Sequence, residues 1–475
     1  MNQSGKSYLH LFPFFGMLMV FVLLRALGFD GFFGQDSYEY LRLSRQMQAS
    51  WLENAPVAEA IYPPGYPFLG AVLGLITGSS EWGLSMVSLL AGLLSLWFFR
   101  QILDLLYQGQ HTEKTIFTLL VLLVSPAFLK ASQVAMSDMC ALCLVLGTVF
   151  LALQYDQKGR SALLFAAASL AALAVSVRIA TLVVLPFPVL FLAWKSFEKK
   201  HFLAWIGSVL TAVILLVGLF QLQHFSSLLA SGHPYSPDHW NPANFFRKEF
   251  HSYEGNMVYT LPNLVFVTGI FYHKAFQFWG GIYLVFLLRN WKSIPFNARL
   301  LWLPVVAYLL FMAGLSVQNE RYLLLVFPLA LILVFPGFVG LVNLLKQKKL
   351  WIPALALHLA MQLFLNYRSL RGPVRLSAFE KNMAADLQPF RNQKVYSFSV
   401  DVALQQRIPG MEFLNLWEKR YGEFDPDAMV LFNETEFAKD WAGQNPMLNW
   451  EKLQNDYRLR PVKSWPDGWA LYEID

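Results

Sequence analysis

Residues 62–78 read YPPGYPFLGAVLGLITG, and the placement of this stretch decides how the whole chain is threaded. It is apolar enough to enter a bilayer. A helix from Pro63 to Gly78 would nevertheless cover only about 24 Å at about 1.5 Å per residue, against a hydrocarbon core of roughly 30 Å. The stretch is therefore expected to lie as an interfacial or shallowly re-entrant helix, started by the Pro63-Pro64 pair.

Outward from it, apolar runs recur at 8–29, then at 82–107, 115–135, 138–155, 161–177, 179–194, 202–223, 271–288, 300–317, 322–345 and 350–366. A crossing needs roughly 20 mainly apolar residues whose helical backbone satisfies its own polar groups, so these runs predict about eleven crossings. Composition agrees. With 56% hydrophobic and 14% charged residues over 475 positions, and a mean hydropathy of +0.42, the chain lies outside the balance of a soluble protein. The fold class expected is a polytopic α-helical membrane protein with a small C-terminal α/β soluble domain, divided as 1–366 and 367–475. The first run lacks a small-residue cleavage site and reads as a retained anchor.

Basic residues cluster at Lys6, Lys114, Lys158 with Arg160, Lys195 with Lys199 and Lys200, Arg289 with Lys292 and Arg299, and Lys346 with Lys348 and Lys349. If 62–78 does not cross, two spans separate each neighbouring pair of clusters, and all of them fall on the cytoplasmic side. This placement explains the net charge of +6 without a nucleic-acid partner. Segments 30–81 and 224–270 and the tail 367–475 are then extracytoplasmic. From Arg371 the tail turns polar, with strand-like runs at 394–400, 411–416, 428–433 and 469–474 and helical stretches at 376–387 and 448–457. Pro466-Asp467-Gly468 is a turn candidate joining the last two strands. About 100 residues is a normal size for one domain.

Charges in or beside hydrocarbon are costly and mark candidate sites. In this threading they gather on the extracytoplasmic side. Asp36 and Glu39 follow the first span, Lys130 and Asp138 flank the turn between the third and fourth crossings, and Arg178 marks the next outer turn. Lys274 follows the second outer loop, and Glu320-Arg321 forms the outer turn before 322–345. Acids and bases converging at one face suit an anionic lipid headgroup whose sugar is to be moved. Against this stand snorkelling basic side chains, and helix capping by Asp36 (of 37–47) and by Asp138 (of the fourth crossing). Cys140 and Cys143 lie within a span and read as inert packing, since zinc needs about four ligands. His233, His239 and His251 match no compact ligand spacing, so no metal site is assigned; with Trp240 they suit sugar stacking or the membrane interface.

The first outer loop reads Gly34-Gln35-Asp36-Ser37-Tyr38-Glu39-Tyr40-Leu41-Arg42, followed by Ile61-Tyr62-Pro63-Pro64-Gly65-Tyr66-Pro67. An aspartate just after the first span with tyrosines two and four residues on, then a Pro-Pro-x-Tyr-Pro entry to a juxtamembrane helix, resembles the GT-C superfamily of membrane glycosyltransferases. Within it the chain is similar to the bacterial branch of the protein O-mannosyltransferase-like group, which includes the aminoarabinose and lipopolysaccharide-core transferases. Ser137-Asp138 opening the fourth crossing, and Glu320-Arg321-Tyr322 leading into an apolar run with Pro328, extend the resemblance over most of 1–366.

The resemblance implies transfer of a sugar, with inversion, from a polyprenyl-phosphate donor to a hydroxyl of a lipid, glycan or protein acceptor. It also favours a bacterial cytoplasmic (inner) membrane. Asp36 is expected to be the general base, and Asp138 to orient the acceptor or the neighbours of Asp36, or to help bind a cation. Two nearby carboxylates are expected to raise one of the two pKa values. Arg321, Lys274, Arg178 or Lys130 would stabilise the leaving phosphate. Tyr38, Glu39, Tyr40, Tyr62, Tyr66, Glu320 and Tyr322 complete the expected substrate-binding set. Ile61-Tyr62 replaces the Glu-Lys pair of the aminoarabinose enzymes, so neither that sugar nor a lipid A acceptor is assigned. No cofactor is required on this reading, and without an Asp-x-Asp pair a divalent cation, magnesium or manganese, is left open. The other classes weighed are a transporter or flippase of a lipid-linked or anionic substrate, and a non-catalytic membrane assembly subunit.

Overall fold

The computed structural model describes residues 11–55, 57, 62–107, 109–221, 240–252, 255–289 and 291–475; Lys6, Ile61, His233 and His239 lie outside them. The chain begins with α1 (Phe12–Ala26), α2 (Gly34–Glu53), α3 (Gly65–Thr77) and α4 (Ser80–Leu106). It continues with α5 (His111–Phe117), α6 (Pro126–Gln133), α7 (Ser137–Lys158), α8 (Ala162–Val177), α9 (Pro186–Glu198) and α10 (Phe202–Gln221). A small hairpin, β1 (Glu249–Ser252) with β2 (Gly255–Val258), precedes α11 (Asn263–Thr268), α12 (Gly280–Arg289), α13 (Phe296–Leu300) and α14 (Trp302–Gly314). The short α15 (Glu320–Leu323) leads into α16 (Phe327–Gln347) and the 37-residue α17 (Trp351–Leu387).

Among the described residues five helical stretches are long and apolar enough to cross a membrane: α4, α7, α10, α13 with α14, and α16. A sixth is α5 to α6, counted as one span bent by 70°. The other expected crossings are built differently. Runs 8–29, 161–177 and 271–288 become the shorter apolar helices α1, α8 and α12. Run 179–194 is broken into a 3-10 turn, Ile179–Val183, and α9. The stretch 62–78 forms only the 13-residue α3, about 20 Å long at about 1.5 Å per residue, packed along α4. Gly83 permits that packing, since a Cβ there would stand 2.1 Å from the Gly70 carbonyl oxygen.

The bent span carries a π-helix at Thr118–Leu123, which opens backbone carbonyls that an α-helix would have paired. Buried polar side chains close them. His358 Nε2 donates to Leu120 O at 2.7 Å, Gln277 Nε2 to Val121 O at 2.5 Å and Asn366 Nδ2 to Val124 O at 2.7 Å. His358, Gln362 and Asn366 recur every fourth residue of α17, one buried polar stripe facing the break. The expected crossing at 350–366 is the first part of α17, which is not among the stretches apolar enough to cross, and this stripe lowers its hydropathy.

Among the described residues, the loops bearing Lys114, Lys158, Lys195, Arg299 and Lys346 lie at one end of the bundle. Lys114 reaches Asp104 at 2.8 Å, Lys346 reaches Glu113 at 3.0 Å, and Lys195 and Asn297 reach Asp156 at 3.3 and 3.0 Å. α7 runs from this end at Lys158 to Ser137 at the other, about 33 Å at about 1.5 Å per residue.

α17 passes without a break from the bundle into the tail, so position 366 is not a linker, and the tail's own core begins at Met383. The tail adds β3 (Lys394–Ser397), α18 (Asp401–Arg407), β4 (Glu412–Asn415), β5 (Met429–Phe432), α19 (Glu434–Asp440), α20 (Asn445–Asp456), β6 (Leu459–Ser464) and β7 (Ala470–Ile474). The sheet order is β4-β3-β5-β7-β6, with β3 parallel to β4 and β5 and β7 antiparallel to β5 and β6. Every expected strand is present. β6 is additional, an exposed edge whose Pro461 and Lys463 discourage further pairing. Val395, Leu431, Leu453 and Leu471 fill the core beneath the sheet.

Candidate active site

Gly34, at φ +73, turns the chain into α2 and places Asp36 in its first turn, at the end of the bundle that bears the tail. Asp36 Oδ1 accepts the Tyr62 hydroxyl at 2.6 Å, and its Oδ2 receives the Arg321 guanidinium at 2.7 Å. Arg321 is presented by α15, one turn capped by the Asn319 side chain on the Arg321 N–H at 3.0 Å. The other edge of the guanidinium faces Asp138, with Nε 3.5 Å from Oδ2. Asp138, in the first turn of α7, pairs with Arg178 at 2.9 Å, where the extended backbone of Arg178 ends α8. The result is one row, Tyr62–Asp36–Arg321–Asp138–Arg178, in which negative and positive groups alternate.

Tyrosines shape the surround. The Tyr40 hydroxyl donates to Ser137 Oγ at 2.9 Å, and its ring packs on Tyr62 and Tyr66 at 5.0 and 4.9 Å between centroids. Tyr66 lies beneath, donating to the Leu84 carbonyl at 3.1 Å. The Arg178 and Arg321 guanidiniums stand 5.0 and 5.4 Å from the ring centroid of Tyr322. Gly65 makes this assembly fit, because a Cβ there would come 2.7 Å from the Ser176 carbonyl oxygen.

The two carboxylates differ in access. The Asp36 side chain keeps 28% of its surface exposed and the Asp138 side chain only 4%, so Asp36 is the one an incoming hydroxyl can reach. Neither is a helix cap, for the N-cap positions belong to Phe33 and Met136. The expectation that neighbouring carboxylates raise one pKa is corrected for Asp36. Burial acts to raise it, but the Arg321 charge, hydrogen bonds from Tyr62 and Arg321, and the Arg178 charge together hold it below the usual carboxylate range. Arg321 is held well above the ordinary guanidinium value: burial opposes its charge, and Asp138 and Asp36 outweigh burial.

The remaining expected residues divide. Lys130, on α6, stands 4.5 Å over the Phe33 ring, within electrostatic reach of Glu320 and Arg321. Glu320 pairs with His273 at 3.1 Å. Lys274 is exposed, and no ion pair of it is formed among the described residues. Glu39 is engaged by Arg42 within α2. Tyr38 points to the opposite face, donating to Glu380 at 2.5 Å. There a second network, absent from the sequence reading, joins Asp30, Glu380 and Arg407. Asp30 lies about 350 positions or more from Glu380 and Arg407 in sequence, and only its charge after the first span hinted at the network.

Among the described residues no group of three or more His, Cys, Asp or Glu comes together that could hold a metal ion. The Arg321 guanidinium takes the place between Asp36 and Asp138.

Residues 62–220 match the family model described as dolichyl-phosphate-mannose-protein mannosyltransferase. No curated protein matches the chain in sequence. Among solved structures the chain is similar to ArnT from Cupriavidus metallidurans bound to undecaprenyl phosphate, at 16% identity and a TM-score of 0.59, covering 96% of this chain and 98% of that one. It is also similar to the Archaeoglobus fulgidus oligosaccharyltransferase tethered with an acceptor peptide, at 13% identity and a TM-score of 0.54, covering 100% of this chain and 75% of that one. The chain thus shares the fold of these two proteins. The matched region takes in Tyr62–Pro67 and Ser137-Asp138 and leaves Asp36 and Glu320-Arg321-Tyr322 outside it.

Proposed function

We propose that the protein is an inverting glycosyltransferase that moves a sugar from a polyprenyl-phosphate donor to an acceptor hydroxyl at the extracytoplasmic face of a bacterial inner membrane. The observation that carries the reading is the row Asp36–Arg321–Asp138–Arg178, with one accessible carboxylate beside fixed guanidiniums at the tail-bearing end of the bundle. Support for the donor comes from ArnT bound to undecaprenyl phosphate and from the archaeal AglB in complex with dolichol-phosphate. The basic loops gathered at the far end support the orientation.

The acceptor oxygen attacks the anomeric carbon as Asp36 takes its proton, and the bond from that carbon to the phosphate oxygen breaks with its electron pair. The polyprenyl phosphate leaves as an anion, stabilised by Arg321 and by Lys130, which has no carboxylate within ion-pair distance among the described residues. Arg178 neutralises buried Asp138, and Asp138 in turn holds Arg321. Whether the sugar is a hexose or a pentose depends on contacts beyond this charged row.

The test is incubation of purified protein with a panel of labelled polyprenyl-phosphate sugars and an acceptor extract. Transfer from one donor, with inverted anomeric configuration in the product, is expected. Folded protein that transfers from none of them would contradict the reading and favour a flippase or assembly subunit.

A further inference from the structure

We propose that the C-terminal domain takes part in the transfer reaction through Arg407, a positioning residue for the helix that carries Asp36. The proposal rests on the reading of Asp36 as the base. α2 has two faces. Asp36 and Tyr40, four residues apart, look into the charged row, while Tyr38, Leu41 and Arg45 share the opposite face at helical spacing.

Arg407, in the last turn of α18, reaches Asp30 at 2.9 Å and Glu380 at 3.5 Å and donates to the Tyr38 hydroxyl. Its guanidinium stands 5.2 Å from the Tyr38 ring centroid. Asp30 is held further by Lys381 at 3.2 Å and by Ser377 at 3.0 Å, both on α17. On either side of this centre, Gln35 donates to Asp401 at 3.2 Å and Arg45 to Gln406 at 2.8 Å. The tail therefore grips α2 over its first three turns, beginning at the residue next to Asp36.

A cavity of about 510 Å³ opens beside this grip, lined by Asp30, Tyr38, Leu41, Arg45, Lys381 and Arg407 among others. Ala403 and Val402 of α18 add apolar packing against the core that holds Tyr38 and Leu41, while Arg407 is the cation that pairs with both Asp30 and Glu380, Lys381 reaching Asp30. Misplacing a catalytic group by about 1 Å can cost about a hundredfold in rate, so a loosened α2 shows in turnover rather than in donor binding.

The experiment compares wild type with Arg407→Gln and Arg407→Lys in full-length protein, by donor kinetics and by hydrogen exchange of the amides at 34–47. For Arg407→Gln, kcat falls by about tenfold or more with donor KM within about twofold, and α2 exchanges faster while β3, β5 and β7 stay protected. Arg407→Lys, which keeps the charge for Asp30, recovers part of the turnover; it carries the comparison alone if Arg407→Gln unfolds the tail. Wild-type kcat, a rise in KM alone, or unchanged exchange at 34–47 overturns the proposal. A wild-type protein that transfers no sugar contradicts the function, while the exchange measurement still decides the positioning role.

Discussion

Arg321 satisfies two carboxylates from separate elements at once, Asp36 on α2 and Asp138 on α7. A lysine offers one compact charge instead of a fork, so Arg321→Lys is expected to lower kcat/KM by about a hundredfold, measured with the labelled donor. Because Arg321 and its neighbours hold the Asp36 pKa below the usual carboxylate range, the base stays ionised to lower pH than a free aspartate. The acid limb of kcat/KM should accordingly lie below about pH 4, and in Arg321→Gln it should move up, as a pH–rate profile of each form would show. Asp138, Arg178 and Arg321 were legible because each lies at the end of an apolar run, and Asp36 because it follows the first one closely. The grip of Arg407 was not, since it depends on where the tail docks, which no local pattern encodes.

At the scale of elements, the bent span explains how a chain can look apolar over 115–135 and yet break. Hydropathy does not distinguish a π-helix from an α-helix, and only Pro126 marks the place in the sequence. The polar stripe of α17 lies inside a run that reads as an ordinary span, and its role shows only in its partners, the carbonyls of Leu120 and Val124. Asn366→Leu should therefore destabilise the protein by about 1–3 kcal/mol, the cost of a buried carbonyl losing its partner, seen as a lower melting temperature in detergent. A substitution at exposed Leu357, on the same helix, should leave that temperature nearly unchanged.

Across the whole molecule, 62–78 yields the short helix its length led one to expect, the 13-residue α3, and two of the basic loops touch where Lys346 reaches Glu113. The tail's strands were legible from their apolar runs, whereas the edge strand β6 was hidden by its polar side chains and proline. The tail also carries a titrating contact. Burial lifts the Asp401 carboxyl to about 7, with Glu418 adding to the rise and the Asn415 hydrogen bond opposing it. The folded tail thus binds this proton more tightly than the unfolded chain, and the stability so gained is lost as pH rises from about 4 towards 7. Hydrogen exchange of β3 and β5 should show protection falling over that window in wild type and a flatter response in Asp401→Asn.

The central claim is that Asp36 takes the acceptor proton in a sugar transfer from a polyprenyl phosphate. Transfer of label by purified wild type and by Asp36→Asn, each shown to bind the donor, tests it most directly. The account predicts near-complete loss of transfer in the variant with binding retained. Wild-type transfer by Asp36→Asn would contradict it.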